Sequence, residues 1–445
     1  MQVYKFGGTS VGSPERIKHV ARLIQQGGRK IVVLSAMSGT TNTLVEIADY
    51  FRRGNKEGAS NIINILRGKY LSHIESLYAT AEMKERTRSF VEDLFYHLQD
   101  MDANAFDEEA EKFVLGQGEL LSTNMMVNYL QEQGVRVALI SALDFMRKDE
   151  NDEPDTEYIR THLSPIIEAH PEVDIFITQG FICRSAQGNI DNLQRGGSDY
   201  TASLIGAVLR VEEIQIWTDI DGMHNNDPRI VEGTTPVRHL SFEEAAELAY
   251  FGAKILHPTC IQPARYAGVA VRVLNTMEPS APGTLINNEM QPGVIKAVAA
   301  KDNITVVKVV SSRKLLATGF LHMIFEIFEK YKTPIDVITT SEVGVSLTID
   351  NTRHLQLIAD ELKQFGTVVI DRKQCIVCVV GDLRSQCTGF ETLATDALRD
   401  IPIRMISFGG SEHNITFVVD MQDKQRTLEQ LQARLFGAPA ASAEA

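Results

Sequence analysis

Glycine-rich motifs that carry a basic residue stand out first, because they could bind phosphate groups. Lys5 precedes Gly7 and Gly8, so an ammonium group stands beside backbone that a ligand can approach closely. Taken alone, the motif fits a phosphate site and an exposed lysine in a turn equally well. It is not a Walker motif, because the sequence contains no GxxxxGK[ST], and no GxGxxG follows a predicted strand.

A second basic motif lies near the middle of the chain. Arg195 precedes Gly196 and Gly197, and Ser198 and Asp199 follow where a helix is expected to begin. Guanidinium donors beside unobstructed backbone amides suit a carboxylate or a phosphate. Asp199 could organise such a site or could simply cap the helix.

Glu119 is the main acidic candidate. It follows Gly116-Gln117-Gly118 and is expected to open a long apolar helix. An acidic residue in a first helical turn often only balances the helix dipole, and the residues alone favour that interpretation. Together with Arg195 it would supply one partner of each sign, as recognition of a free amino acid requires.

The elements around these residues predict a scaffold that could bring them together. In the first two thirds of the chain, β-rich runs alternate with amphipathic stretches, which indicates an α/β fold with a parallel sheet and helical crossovers. The strand candidates are 3–6, 31–35, 135–140, 174–178, 214–218 and 269–273. Because ligands bind beyond the carboxyl ends of such strands, the site is expected there. The stretch from about 43 to 133 is predicted to be helical and to cover one edge of the sheet.

An internal repeat occupies the last third. The segment 318–340 is echoed by 388–408, each with Thr-Gly-Phe, a helical stretch and a Pro-Ile run that leads towards a β-rich strand. Two such units predict small α+β modules that pack together. Segment 278–292 is expected to be a hinge, and 438–445 a disordered tail.

Composition narrows the possible partners. The 445 residues allow two or three domains, and the net charge of −14 argues against a broad nucleic-acid or anionic-membrane surface. No apolar run approaches the ~20 residues of a membrane span, and the amino terminus lacks the apolar region of a signal peptide, so we expect a cytoplasmic protein. Cys375 and Cys378 are the only cysteines with CxxC spacing, and buried reduced thiols on a strand are the favoured interpretation.

Ordered motifs along nearly the whole chain resemble those of the aspartate kinases, a branch of the amino-acid kinase family. These motifs are Lys5-Phe6-Gly7-Gly8-Thr9-Ser10-Val11-Gly12, 33–36 with 41–42, 118–119, 178–182, 195–202, 217–219, 227–229 and 251–258. The resemblance implies a three-layer αβα sandwich with an open, mainly parallel sheet, and two carboxy-terminal ferredoxin-like ACT domains. It implies a catalytic domain over 1–285, a linker over 286–294, an inserted ACT domain over 311–376 and a second ACT domain from 295–310 and 377–436. Strand 305–310 would then complete the second ACT module.

The same resemblance implies a reaction. ATP, with Mg²⁺, would phosphorylate the side-chain carboxylate of L-aspartate, in the first step of lysine, threonine and methionine biosynthesis. Lys5, Asp199 and Lys254 would be catalytic. The aspartate contacts would be Ser35, Thr41, Glu119, Phe181, Arg195 and Ser198. The ATP contacts would be Lys5, Gly7, Gly8, Thr218, Asp219, His224, Arg229 and Lys254.

Some features of this chemistry stay open at this point. The substrate carboxylate is ionised at neutral pH, so no general base is expected. No residue is assigned to the metal. His224 stands where many relatives have tyrosine, and Gln194 replaces the usual glycine before Arg195.

The ACT resemblance implies regulation by an amino acid, with lysine as the expected effector, and a homodimer or tetramer assembled through these modules. The implied effector residues are Lys314, Ala317, Gly319, Phe320, Leu321, Asp336, Thr340 and Ser341. Modules that only dimerise are the alternative, because Ala317 replaces a frequent hydroxyl and Lys314 would repel a cationic effector.

Three other functions are considered. Another amino-acid kinase would lack the paired repeat and the opening motif, and a non-catalytic amino-acid sensor would not need Lys5, Arg195, Asp199 and Lys254 together. A fusion with a homoserine dehydrogenase is not expected, because the sequence continues only briefly beyond the repeats.

Overall fold

The computed structural model describes residues 1–193, 196–252, 257–311, 319–383 and 389–437. It divides into two compact units, which we call the first unit (Met1–Met223 and Leu256–Asn288) and the second unit (His224–Ile255 and Glu289–Ala445). Among the described helices, none has both the length and the apolar character that crossing a membrane requires.

Helices and strands alternate through the first unit and recur in two groups in the second. The helices are α1 (Pro14–Ile24), α2 (Thr40–Arg52), α3 (Lys56–Leu77), α4 (Ala81–Asp100), α5 (Glu108–Glu132), α6 (Ala142–Phe145), α7 (Thr156–Glu168), α8 (Gly197–Leu209), α9 (Phe242–Tyr250), α10 (Pro258–Ala267), α11 (Phe320–Lys330), α12 (Leu355–Leu362), α13 (Phe390–Ala397) and α14 (Lys424–Phe436). The strands are β1 (Gln2–Phe6), β2 (Lys30–Leu34), β3 (Val137–Leu139), β4 (Ile175–Gln179), β5 (Ile182–Arg184), β6 (Ile190–Asn192), β7 (Glu213–Thr218), β8 (Met223–His224), β9 (Pro236–Val237), β10 (His239–Ser241), β11 (Ala270–Asn275), β12 (Thr284–Asn287), β13 (Ile295–Val310), β14 (Ile338–Ser341), β15 (Gly344–Ile349), β16 (Thr367–Gly381), β17 (Ile403–Phe408) and β18 (Asn414–Asp420).

The main sheet of the first unit contains seven of its strands in the order β12-β11-β7-β1-β2-β4-β3. All neighbouring pairs are parallel except β11 with β12. Strand β2 is buried along its whole length, as a continuous apolar run predicts for a central parallel strand. The predicted α/β class with a mainly parallel sheet is therefore confirmed.

The predicted helical stretch contains α2, α3, α4 and α5. The last three of these begin at side-chain caps, where Asn55, Thr80 and Asp107 accept hydrogen bonds from backbone N–H groups in the first turn. Their apolar faces join the core that also covers β1 and β2. This packing fixes α5, which carries Glu119.

The second unit contains an antiparallel six-stranded sheet in the order β14-β15-β13-β16-β18-β17, with α11 and α12 in one hydrophobic cluster and α13 and α14 in another. The two predicted α+β modules therefore share one sheet. Cys375 and Cys378 are buried free thiols on β16, and burial raises their pKa. Neither belongs to a metal cluster, and the described residues contain no such cluster.

The assignment of strand 305–310 to the second module is wrong. Thr305–Val310 pairs with Ile349–Gly344 of β15, whereas Ile295–Lys301 pairs with β16 from Gly381 to Ile376. The long strand pairs with β16 on both sides of bulges near Lys301 and Ile304, where Asn303 has φ of +60°, and only the half beyond the bulges also pairs with β15. The amino-terminal half of β13 therefore completes the second module.

A tight turn at Gly222, in the chain that follows β7, packs against Thr284 on β12. Gly222 has φ of +73°, and a Cβ there would lie 2.3 Å from Thr284 Oγ1. The Met223 N–H donates to the same Thr284 Oγ1 over 2.8 Å, so the space is occupied. The chain that follows Thr218 and Asp219 is thereby held in place.

We expect Gly222→Ala to destabilise the first unit more than Gly134→Ala does. Gly134 has the same φ of +73° but open space around the Cβ position. Both variants incur the left-handed backbone cost of about 1 kcal/mol. Only Gly222→Ala adds a steric clash, of roughly 1–3 kcal/mol. Urea unfolding of both variants measures the difference, and equal losses would contradict the account of this turn.

Candidate active site

The carboxyl ends of β7, β1, β2 and β4 lie side by side and bring the predicted residues to one edge of the sheet. Lys5 is level with Val33 on β2 and Ile216 on β7. The loops that leave these four strands carry Gly7-Gly8, Ser35, Gly180 and Asp219. The strand order therefore brings these loops to one carboxyl edge, where a ligand site is expected in such sheets.

Lys5 forms an ion pair with Asp199 in this edge. Lys5 Nζ lies 2.7 Å from Asp199 Oδ1, and the two side chains are only 12% and 15% exposed. Asp199 lies in the first turn of α8, where its charge also favours the helix dipole. It has no capping role, because Gly196 is the N-cap residue and no side-chain cap is present. Asp199 therefore fixes the Lys5 ammonium group.

Of the two glycines after β1, Gly8 is required by close packing. A Cβ on Gly8 would lie 2.7 Å from the Ala36 carbonyl oxygen, so the loops after β1 and β2 touch through backbone. A Cβ on Gly7 would lie 3.7 Å from Lys5 Nζ. The Lys5 ammonium group therefore lies beside backbone that carries no side chain at Gly7, and its phosphate role stays a prediction.

Glu119 lies in the interior of α5 and not at its start, so the prediction that it opens a helix is wrong. The helix already begins at Glu108, behind the Asp107 cap, and a role as a dipole partner is thereby excluded. Its Oε1 accepts a hydrogen bond of 3.1 Å from the Ala36 N–H, while its Oε2 is buried without a partner among the described residues. Burial raises the pKa of Glu119 to about 7, although the Ala36 N–H and the charge of Lys5 oppose this.

The other predicted contacts of an amino-acid substrate surround this edge. Ser35 follows β2, and its carbonyl accepts a hydrogen bond of 2.9 Å from Ser122 Oγ. Thr41 is exposed in the first turn of α2. Phe181 has φ of +68° and donates its N–H to Thr201 Oγ1 on α8 over 3.1 Å.

Ser198 is buried at the start of α8 and packs closely against the loop after β4. A Cβ on Gly180 would lie only 2.5 Å from the Ser198 Cβ, so this contact requires glycine. The loop after β4 and the start of α8 therefore meet without an intervening side chain.

Several predicted residues fall elsewhere or outside the described ranges. Thr218 Oγ1 donates to Asp219 Oδ1 at the end of β7, whereas His224 and Arg229 belong to the second unit. The Arg229 guanidinium donates to both carboxylate oxygens of Asp227. Arg195, Lys254, Lys314 and Ala317 lie outside the described residues.

Of the predicted effector residues, the described ones lie in the first module of the second unit. Gly319 is the N-cap residue of α11, Phe320 is buried and Leu321 is exposed. Thr340 and Ser341 end β14, and Asp336 precedes that strand.

Sequence reasoning missed the residues that hold Glu119 and α8 in place. Gln179 donates to Thr123 Oγ1, and Thr123 donates to the Glu119 carbonyl oxygen, which ties β4 to α5. Thr123 follows Glu119 by four residues, which places both on the same face of a helix. This spacing was the signal in the sequence that could have identified Thr123. Cys260 Sγ lies 3.4 Å from the Gly196 carbonyl oxygen, and a Cβ on Gly196 would clash with that sulfur at 2.6 Å.

Comparisons with known proteins match both units. A model of the amino acid kinase family matches residues 1–275, and an ACT domain model matches residues 377–435. The chain is 33% identical to the chloroplastic aspartokinase 3 of Arabidopsis thaliana, over 98% of this chain and 81% of that protein. It is 31% identical to the lysine-sensitive aspartokinase 3 of Escherichia coli, over 98% of this chain and 99% of that protein.

Solved structures agree in fold over the same length. The crystal structure of E. coli aspartokinase III in complex with aspartate and ADP has a TM-score of 0.82 and 31% identity, covering 98% of this chain and all of that chain. The complex of the same enzyme with lysine and aspartate also has a TM-score of 0.82, and covers 98% of this chain and 99% of that chain.

The raised pKa of Glu119 predicts a pH-dependent cost of folding. Because the folded-state value of about 7 exceeds the ordinary 4.5, this group favours folding fully below pH 4.5, and the contribution is lost as the pH rises through 7. The loss amounts to about 3 kcal/mol. The Glu119→Gln variant keeps the acceptor for Ala36 but cannot ionise, so it should gain stability over the parent between pH 5 and pH 8.

Thermal unfolding of the parent and Glu119→Gln across this pH range measures the effect. Glu57→Gln, in the exposed first turn of α3, is the control and should show no such trend. A constant difference between the parent and Glu119→Gln would contradict a buried Glu119 with a raised pKa.

Proposed function

The chain belongs to the aspartokinases, within the amino acid kinase family, and on this basis we propose how its residues divide the work of the reaction. The reaction is the ATP-dependent phosphorylation of the side-chain carboxylate of L-aspartate to 4-phospho-L-aspartate, the first step towards lysine, threonine and methionine. The observation that supports this division best is the Lys5–Asp199 ion pair beside Gly7.

Lys5 and Lys254 would bind the ATP phosphates and stabilise negative charge on the transferred group. Phosphoryl transfer depends mainly on positioning and on positive charge around the equatorial oxygens. Asp199 would keep the Lys5 ammonium in place between turnovers. Lys254 enters this proposal through the resemblance alone, since it lies outside the described residues.

Glu119 would bind the ammonium group of aspartate, and Arg195 its α-carboxylate. The unpartnered Glu119 Oε2 supports this role, because a buried acceptor without a donor is costly unless a ligand supplies one. Ser35, Thr41, Phe181 and Ser198 would complete the pocket. The side-chain carboxylate of aspartate is the nucleophile, and it is ionised at neutral pH, so no residue need remove a proton.

The nucleotide would lie along Gly7 and Gly8, with Thr218 and Asp219 towards its adenosine part. The carboxylates of Asp199 and Asp219 suit a hard cation such as Mg²⁺, which enters as part of the nucleotide substrate and would neutralise phosphate charge. His224 and Arg229 stay predicted contacts, and Asp227 would have to share Arg229 with the nucleotide.

The second unit would regulate the enzyme and form its homodimer, with a tetramer as a larger assembly. Large apolar side chains exposed on this unit support an interface; they include Leu321, Phe325, Val343, Ile406 and Phe408. An amino-acid effector, with lysine as the first choice, would bind near Gly319, Phe320, Asp336, Thr340 and Ser341. Bound effector would shift the population of active and inactive states.

We also propose that the chain acts in the cytoplasm, without nucleic-acid or membrane partners. Its net charge of −14 supports this, because either surface would need a local excess of basic residues.

Lys5→Ala and Arg195→Ala should fail in different ways. Loss of the Lys5 charge should lower kcat by about 10²–10³-fold with little change in the KM for aspartate. Loss of Arg195 should raise the KM for aspartate by about 10–100-fold, because a charge-assisted contact in the ground state is lost. Steady-state ADP formation measures both variants.

The exposed Lys56→Ala on α3 is the matched control and should leave both constants unchanged. Identical kinetic changes in Lys5→Ala and Arg195→Ala would contradict the proposed division of roles.

A further inference from the structure

Asp336 lies between α11 and β14, and the two oxygens of its buried carboxylate differ in their hydrogen-bond partners. Its N–H donates to the Thr348 carbonyl over 2.9 Å, which fixes its backbone, and its side chain is 2% exposed. Oδ1 accepts hydrogen bonds, whereas Oδ2 is buried without a partner among the described residues. A buried carboxylate oxygen without a donor is costly, so Oδ2 is suited to a donor from a ligand.

Two donors from different parts of the second unit share Asp336 Oδ1. Lys301 Nζ on β13 lies 2.6 Å away, and the Tyr250 hydroxyl at the end of α9 lies 3.0 Å away. Lys301 Nζ also lies 3.0 Å from Asp350 Oδ2 and 4.9 Å from the centre of the Tyr250 ring. Asp336 therefore connects α9 to the six-stranded sheet of the second unit.

Two further contacts fix the same helix to that sheet. Glu247 accepts hydrogen bonds of 2.7 Å from Ser411 Oγ and from Asn414 Nδ2, near the start of β18. Gly252 has φ of +123°, and a Cβ there would lie 2.0 Å from the Ala300 carbonyl on β13. Gly252, two residues before Lys254 in the sequence, therefore packs against Ala300, the residue that precedes Lys301.

We propose that Tyr250 and Lys301 couple effector binding at Asp336 to the end of α9 and to Phe251 and Gly252, which precede Lys254 in the sequence. An amino-acid effector places an ammonium group on Oδ2, opposite the two donors on Oδ1. This second positive charge repels Lys301 towards Asp350, which already shares it, and weakens the hold of the carboxylate on the Tyr250 hydroxyl. Release of Tyr250 then shifts the end of α9 and the residues after it.

Lys301 has a second consequence, because it competes with any cationic ligand for the charge of Asp336. A chain with this lysine binds such a ligand more weakly than one with a neutral residue of similar shape. Affinity and coupling are therefore set by two different side chains, Lys301 and Tyr250. The inference rests on the regulatory part of the proposed function.

The test uses L-lysine as the probe on the full chain, with binding measured by calorimetry and inhibition measured as aspartate-dependent ADP formation. Tyr250→Phe already lacks the hydrogen bond that the effector is proposed to release, so it should bind lysine no more weakly than the parent. Saturating lysine should lower its activity about three- to tenfold less than it lowers that of the parent, as expected for the loss of one hydrogen bond. Tyr266→Phe, 83% exposed on α10, is the matched control and should behave as the parent.

Lys301→Met should bind lysine about tenfold more tightly than the parent, because the competing charge is gone. Weaker lysine binding by Lys301→Met, unchanged inhibition of Tyr250→Phe, or no lysine binding by the parent would each overturn the inference. Absence of aspartate-dependent activity in the parent would instead contradict the proposed function, and calorimetry of Lys301→Met would still test effector binding at Asp336.

Discussion

The ion pair between Lys5 and Asp199 is the contact on which the active site depends. An ammonium group so far removed from water is costly alone, and a carboxylate alone at the start of α8 would repel phosphate. Asp199 fixes the Lys5 ammonium group at the carboxyl edge of β1, between two parallel neighbours that fix its backbone. Gly7 has no side chain beside this ammonium group, so a phosphate group can approach it there.

The opposite end of the site depends on an unfavourable burial. Glu119 is held in the interior of α5 by helices α2 to α4, and its raised pKa reflects the loss of solvent. Its Oε1 is satisfied by Ala36, while Oε2 is available for a substrate ammonium group. Glu119 and Lys5 thus lie at one sheet edge, and in the proposed division of roles they bind the amino group of the substrate and the phosphate, as phosphorylation of a free amino acid requires.

Local pattern predicted the sheet of the first unit, because β-branched runs such as 31–35 can be buried only as central strands. Prediction from local pattern failed where the structure depends on contacts between residues far apart in the sequence. Glu119 was expected in a first turn because the glycines before it resembled a break, but the packing of α5 carries the helix through them. Strand 305–310 was assigned to the wrong module because a bulge at Asn303 lets one strand serve two. The Tyr250–Asp336 contact joins residues 86 positions apart and leaves no periodic signal.

The shared sheet of the second unit gives regulation a physical route, since α9 and the two modules are linked by hydrogen bonds through Asp336 and Glu247. The central claim remains the chemistry at the sheet edge, and the chemical identity of the product tests it most directly. Purified protein is incubated with MgATP, aspartate and hydroxylamine, and the trapped hydroxamate is assigned by NMR. The account predicts a hydroxamate on the side-chain carboxyl carbon, formed only when both ATP and aspartate are present. No hydroxamate, or one on the α-carboxyl carbon, would contradict it.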